Sequence, residues 1–323
     1  MMNLRIRILM MACALGTIFW GCDSLIYKDL ADCPQGVYVK FYSMTPCAVD
    51  STFIGDVSSL TIFAFDEEDK LVTSVTKENV SLDKDFEILM PVSNGNYSFI
   101  AWANVNNSFT RQVFSSGKTT KKSVMFILKS LNNVASGLNK TQYIWQGESP
   151  SVFLPDPEEV GSLYKHTAIN LQELTNRIKV IVELDPSITE FTSKDLKVAV
   201  SSANGIVNID GSMPTNSPRL TYPLLNTLYT ERSVTWDFST LKLVTGYHNN
   251  LSISYPGTNQ SIFNGDLIAS ILLNTVEGGI NLACQNDFTV KFVVKNYCAE
   301  CSTNFTCSVY VNDWIVHSYS TDL

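Results

Sequence analysis

Histidine is nearly missing from this chain: three occur in 323 residues, at His166, His248 and His317. None stands in a His-Glu-x-x-His pair. There is no Gly-x-Ser-x-Gly elbow and no glycine-rich phosphate loop, so the common hydrolase and nucleotide-binding arrangements lack their residues. Arginine is scarce too, with six in all and none between Cys22 and Arg111. Acids outnumber bases 31 to 23, and no basic run occurs. Nucleic acid and anionic lipid surfaces are therefore poor partners for this chain. Long apolar runs are absent as well. The mostly apolar stretch at residues 8–19 falls short of the roughly 20 residues that a membrane-crossing helix needs.

That stretch has another reading. It follows a cationic start (Arg5, Arg7) and ends at Gly21-Cys22. Charge, apolar segment and small residue together are the layout of an export signal. A cut between Gly21 and Cys22 would make Cys22 the first residue and the site of lipid attachment, through diacylglycerol and an N-acyl chain. Two or more chains hold a protein stably on a membrane. Phe19 and Trp20 are bulkier than the usual residues before such a cut. Loss of Arg5 and Arg7 would take the net charge from −8 to −10, so lipid rather than charge would hold the body to the membrane. The expected layout is a signal at 1–21, a lipidated tether at 22–32, and two domains at 33–164 and 165–323.

Eight cysteines are present. Cys13 would leave with the signal, and Cys22 would take lipid. Cys33, Cys47, Cys284, Cys298, Cys301 and Cys307 remain, an even number that reads as disulfides in an exported protein. Cys33 and Cys47 stand alone in the first half and are expected to pair, closing a loop worth about 3 kcal/mol in the chain-entropy model. The last four would then pair among themselves in an open order. Their one Cys-x-x-Cys step also suits a four-thiolate zinc site. A single step in an oxidising compartment favours disulfides, and no metal is expected.

From Cys33 onward the hydrophobic period is two. Val37, Val39 and Phe41 share one face while Tyr38, Lys40 and Tyr42 share the other. Similar runs begin at Leu60, Phe86, Tyr97, Arg177, Leu196, Leu241, Leu251, Phe288 and Phe305. Turn signals separate them at Asn94-Gly95, Asn204-Gly205, Asp210-Gly211, Asn264-Gly265 and the charged tip Glu67-Glu-Asp-Lys70. The overlapping acidic run Asp66-Glu-Glu-Asp69 lacks the alternating acids of a calcium loop. The pattern predicts an all-β architecture of sandwiches. One helix is expected at 123–133, where Val124, Ile127, Leu128 and Leu131 would line a face. Trp145, Trp236 and Trp314 read as sheet packing or, if exposed together, as a sugar platform. No constellation argues for an enzyme.

Several segments together resemble one family. Asp32-Cys-Pro-Gln-Gly-Val-Tyr-Val-Lys-Phe41, Leu60-Thr-Ile-Phe-Ala-Phe-Asp66 and Gly95-Asn-Tyr-Ser-Phe-Ile-Ala-Trp102 are similar to segments of the fimbrillin-associated anchor lipoproteins of bacteroidal minor fimbriae. Leu174-Thr-Asn-Arg-Ile-Lys-Val180 and Val309-Tyr-Val-Asn-Asp-Trp314 extend the likeness over nearly the whole mature chain. The resemblance implies two tandem transthyretin-like (Greek-key) β-sandwiches, no catalytic activity and no small-molecule substrate. It implies attachment to the outer membrane through Cys22, with fimbrillin stalk subunits as partners and a role in limiting shaft length. In related stalk subunits an arginine-specific protease removes the first strand, and a neighbour's donor strand fills the gap. The arginine-free span after Cys22 fits a subunit that keeps its first strand. A surface carbohydrate-binding lipoprotein built of β-sandwiches is the other reading.

Cys22→Ala is expected to release the protein from the outer-membrane fraction. Metabolic labelling with a clickable fatty acid checks this, because label should fall to background on the variant, and equal label on both would contradict it.

Overall fold

The computed structural model describes residues 33–110, 112–189, 191–255, 260–268, 281–296, 305–312 and 314–321. The chain opens with β1 (Gln35–Tyr42), β2 (Gly55–Phe65), β3 (Leu71–Leu82), β4 (Glu87–Met90) and β5 (Gly95–Ala103). Short strands β6 (Met125–Ile127), β7 (Ser130–Leu131) and β8 (Val134–Ala135) follow. Next come β9 (Trp145–Glu148), β10 (Val152–Leu154), β11 (Leu163–Asn170) and β12 (Gln172–Glu173). The second half begins with β13 (Thr175–Leu184), β14 (Lys197–Ser202), β15 (Ile206–Asn208), β16 (Leu220–Tyr222) and β17 (Asn226–Tyr229). It continues with β18 (Ser233–Leu241), β19 (Asn250–Tyr255), β20 (Gln260–Asp266), β21 (Asp287–Asn296), β22 (Phe305–Val311) and β23 (Trp314–Thr321). The protein is all-β.

Two cores organise these strands. The first lies between the sheet β11-β1-β4 and the sheet β12-β9-β5-β2-β3. Val37, Val39 and Phe41 meet Leu60, Ile62 and Phe99 there, all 3% exposed or less. The alternation of β1 explains this: its odd positions face the core and its even ones the outside. The second core lies between β17-β18-β13-β21-β22-β23 and β20-β19-β14-β16-β8-β7, filled by Val180, Trp236, Leu251, Ile253, Val290 and Phe292. The sandwiches are joined through the other face of β2 and β5. Phe63, Ile100 and Trp102 belong to the second cluster, and Trp102 donates its indole N–H to the Ile209 carbonyl at 2.7 Å. In each sandwich the opening strand sits between one antiparallel and one parallel neighbour: β1 between β4 and β11, β13 between β18 and β21.

Three expectations need correction. The helix at 123–133 is instead a single 3-10 turn (Lys121–Ser123) followed by β6 and β7. Val124, Phe126 and Leu128 point inward at period two, while Leu131 is 77% exposed. Pairing of β6 with β15 and of β8 with β16 supplies the partner edges that override helical spacing. Asn264-Gly265 is no turn, because it lies within β20 and pairs with β19. The boundary expected at Tyr164 falls inside β11, which pairs with β1 along all eight residues. Ile169 and Leu171 belong to the first core, so the crossing to the second follows Leu171.

Where the two sheets of the first sandwich approach, β9 has no room for a side chain. A Cβ at Gly147 would lie 2.2 Å from the Asn170 carbonyl oxygen and 2.7 Å from Ile169 Cγ2. Gly147→Ala should therefore cost about 1–3 kcal/mol through overpacking. A urea melt checks it, and an unchanged midpoint would contradict this packing.

Candidate functional site

Hydrogen bonds from several loops converge on the two ends of β1. At the entry of the strand, Gln35 is 7% exposed. Its Nε2 donates to the Pro155 carbonyl at 3.1 Å and the Gly161 carbonyl at 3.4 Å, and its Oε1 accepts from the Asn94 amide at 3.0 Å. One side chain thus ties the start of the strand to two connections, the one between β10 and β11 and the one between β4 and β5. Gly36 is required by close approach: a Cβ there would meet Leu89 Cδ1 at 2.6 Å and the Met90 carbonyl at 3.0 Å. Along the strand both backbone edges are used. Eight residue pairs with β11 and four with β4 leave β1 in mid-sheet.

The exit is fastened as closely. The Leu171 amide donates to the Tyr42 carbonyl at 2.7 Å. Asn170 accepts from the Met44 amide and donates to its carbonyl, each at 2.9 Å, and Gln172 donates to that same carbonyl at 2.9 Å. Ser43 and Thr52 exchange backbone hydrogen bonds at 2.8 Å, closing the loop between them. From that loop Cys47 bonds to Cys284, with Cα atoms 5.9 Å apart and a sequence separation of 237. The Asn281 amide side chain donates to Cys47 Sγ at 3.3 Å.

The Cys47–Cys284 bond corrects the expected Cys33–Cys47 pair, and with it the expectation that the last four cysteines pair only among themselves. Cys33 precedes β1 and Cys47 follows it. Eight extended residues span roughly 26 Å, whereas bridged Cα atoms lie within about 7 Å. Cys307 is buried on β22. Gly21, Cys22, Cys298 and Cys301 lie outside the described residues.

A second fastening sits where β13 starts. The Arg177 guanidinium, on a side chain 13% exposed, makes two hydrogen bonds to Glu173 and two to Asp287. It also lies over the Tyr143 ring at 4.5 Å. Burial works against its charge, but Asp287 and Glu173 outweigh that and raise its pKa. Hydrogen bonding to Arg177 holds the Asp287 carboxyl below its ordinary range.

The remaining sequence candidates do not converge. His166 stacks on Tyr38 at 5.2 Å on the outer face of the first sheet, and His248 sits exposed in a turn with φ 52°. Trp236 is core, and Trp145 packs partly buried against the first core. The side chains of Trp314 and His317 lie outside the described residues. The acidic tip is a turn in which Asp66 Oδ1 accepts from the Glu68 and Lys70 amides at 3.0 and 2.8 Å. Among the described residues no group of three or more His, Cys, Asp or Glu could hold a metal ion. No helix there is long and apolar enough to cross a membrane. The sequence reading missed the Cys47–Cys284 bond, for which the separation of Cys33 and Cys47 by a whole strand was the available signal.

The described residues thus give a two-core β protein whose opening strand is held at both ends. Its family is established by comparison. Residues 30–320 match the model described as Mfa2: Fimbrillin-A associated anchor proteins Mfa1 and Mfa2, and the chain belongs to that family. It is 33% identical to the Minor fimbrium anchoring subunit Mfa2 of Porphyromonas gingivalis over 309 residues, covering 94% of this chain and 93% of that protein. The solved structure of the fimbrial anchor protein Mfa2 from Porphyromonas gingivalis superposes with a TM-score of 0.78 at 32% identity, covering 89% of this chain and all of that one. A structure from Bacteroides thetaiotaomicron, described as a putative polysaccharide binding protein, shares the fold with a TM-score of 0.71. It is 18% identical and covers 88% of this chain and 98% of that one.

Arg177→Ala would leave Glu173, 8% exposed, without its charge partner. The expected loss is about 3–5 kcal/mol, the range for breaking a buried pair on one side. Denaturant melts of this variant against Glu173→Gln/Arg177→Met should show the double change recovering part of that loss, and a neutral Arg177→Ala would contradict it.

Proposed function

We propose that this protein is a lipid-anchored outer-membrane subunit that holds the base of a fimbrial shaft and ends its growth. The observation that carries the reading is β1 in mid-sheet, fastened at both ends. A strand so held leaves no vacancy for a donor strand from another subunit, and vacancy is what such assembly uses. Val37, Val39 and Phe41 each contribute about 1.5–3 kcal/mol by burial, all of which would be lost with the strand. The anchoring role follows the Porphyromonas gingivalis relative, and the lipid follows the Gly21-Cys22 signal. Fimbrillin stalk subunits are the expected partners.

The same geometry suggests how such an anchor bears load. Tension entering at Cys22 would run through the tether into β1 and act along the strand. Both ladders would then resist it together. Beyond Tyr42 the covalent route divides at Cys47, and the bond to Cys284 leads straight into the second sandwich. Residues 48–283 lie off that shorter route, so the first sandwich beyond β1 is relieved of most of the pull.

Ser51→Arg places a site for an arginine-specific protease in the exposed loop after β1. The single variant should be nicked yet keep its fimbriae, because Cys47–Cys284 still joins the lipidated piece to the body. Combined with Cys33→Ser and Cys47→Ser, the cut leaves the lipidated piece held only by the ladders and packing of β1, and fimbriae should shed into the medium under shear. Verified cleavage of this combined variant with fimbriae as firmly attached as in the wild type would contradict the proposal.

A further inference from the structure

Among the described residues, one broad face of the first sandwich is covered and the other is open. The far face of β2 and β5 packs on the second sandwich through Phe63, Ile100 and Trp102. The outer face of β11-β1-β4 points the opposite way, with Lys40, Glu87, Leu89, Tyr164 and His166 exposed on it. We propose that this face lies against the headgroup region of the zwitterionic bilayer leaflet that carries the Cys22 lipid, an inference that rests on acylation of Cys22. The contact sets how the body is oriented on the membrane.

The register builds the face. Even positions of β1 point outward. Tyr38 pairs with Leu89 on one side and His166 on the other, and Lys40 pairs with Glu87. One step earlier Gly36 pairs with Tyr164. Leu89 leans over Gly36, whose Cβ position lies 2.6 Å from Leu89 Cδ1. The Tyr38 ring stacks on His166 at 5.2 Å and meets Tyr164 at 5.8 Å. Leu89, Tyr38 and Tyr164 thus form one apolar patch, with Leu89 38% and Tyr164 41% exposed. Charge beside it is balanced, because Glu87 stands 3.8 Å from Lys40 Nζ and 3.7 Å from His166 Nδ1.

Position and chemistry name the occupant. The tether 22–32 has 11 residues, and a chain of that length extends at most about 40 Å. Only Cys33 and Pro34 separate it from Gln35, so acyl chains on Cys22 would keep the start of β1 near the bilayer. The patch begins at Gly36, one residue into that same end. Tyrosine, with an apolar ring and a polar tip, suits the membrane–water boundary. Lys40 carries its ammonium on a long apolar stem that extends toward phosphate. A tethered face needs little intrinsic affinity, since the tether already supplies a high local concentration. The acidic balance of the chain selects a zwitterionic surface over an anionic one. The second sandwich then points away from the membrane, where a shaft would start.

The test holds the chain from Asp23, with an N-terminal histidine tag, on phosphatidylcholine vesicles through nickel-chelating lipid. Tyr164→Trp places a fluorescent reporter on the face, and Leu228→Trp places one on β17 of the second sandwich at a position 61% exposed. With brominated phosphatidylcholine the emission added by Tyr164→Trp should fall about twofold or more, because an interfacial contact enters roughly 5–10 Å into the headgroup and acyl boundary. The emission added by Leu228→Trp should not change. Leu89→Glu puts a charge on the patch and should restore the Tyr164→Trp emission, with an unchanged melting curve. Equal Tyr164→Trp emission on brominated and plain vesicles would overturn the proposal. So would equal quenching of both reporters, burial of the face in a dimer of this chain, or a Tyr164→Trp response to soluble glycans and not to lipid. Flotation of the native chain on vesicles without nickel lipid reports on Cys22 alone, so either reading can fail without the other.

Discussion

Everything this molecule does as a holder depends on one strand with neighbours on both sides. β1 has β11 on one edge and β4 on the other, and its inward residues fill the first core. A strand at a sheet edge can be replaced by peeling. A strand in mid-sheet can leave only if two ladders and a row of buried side chains give way together. The Gln35 hydrogen bonds at one end and the Asn170 and Gln172 hydrogen bonds at the other add local fastening. Cys47–Cys284 makes part of that fastening covalent.

The disulfide changes how the two sandwiches relate. They already share a packed face, where Trp102 reaches the Ile209 carbonyl and β6 and β8 from the first half pair with strands of the second. A bond spanning 237 positions removes about 5 kcal/mol of unfolded-chain freedom in the loop-entropy model. The molecule is thereby one mechanical piece, although it has two cores. The Arg177 cluster acts at the same seam, because Arg177 on β13 and Asp287 on β21 belong to the second sandwich while Glu173 stands on β12, a strand of the first. Because the Asp287 carboxyl titrates below its ordinary value, its contribution is present at neutral pH. It fades as pH falls through that lowered value.

Much of the fold was legible in the sequence, for a simple reason. Strands buried on one face announce themselves by period two, as Val37, Val39 and Phe41 do, and turns such as Asn94-Gly95 by residues that tolerate positive φ. The failures have physical causes too. β3 carries Thr, Ser, Lys and Glu on an exposed edge, so it has little hydrophobic signal. The run at 123–133 fits a helix until β15 offers an edge to pair with. The cysteine pairing was misread because nearness in sequence was taken for nearness in space, across a strand that forces its ends apart. The two-core repetition was invisible because each sandwich repeats strand placement around β1 and β13 but not residues. As for the site, the hydrogen bonds that fasten both ends of β1 exist only once strands are in register, so no sequence pattern announces them.

The central claim is that the first strand is never given up and is covalently tied to the second sandwich. Non-reduced peptide mass spectrometry on the protein recovered from the base of native fimbriae measures both at once. The account predicts a chain that begins at acylated Cys22, runs uncut through Cys47, and is bridged from there to Cys284. A mature chain beginning beyond Tyr42, or Cys47 bridged to any other cysteine, would contradict it.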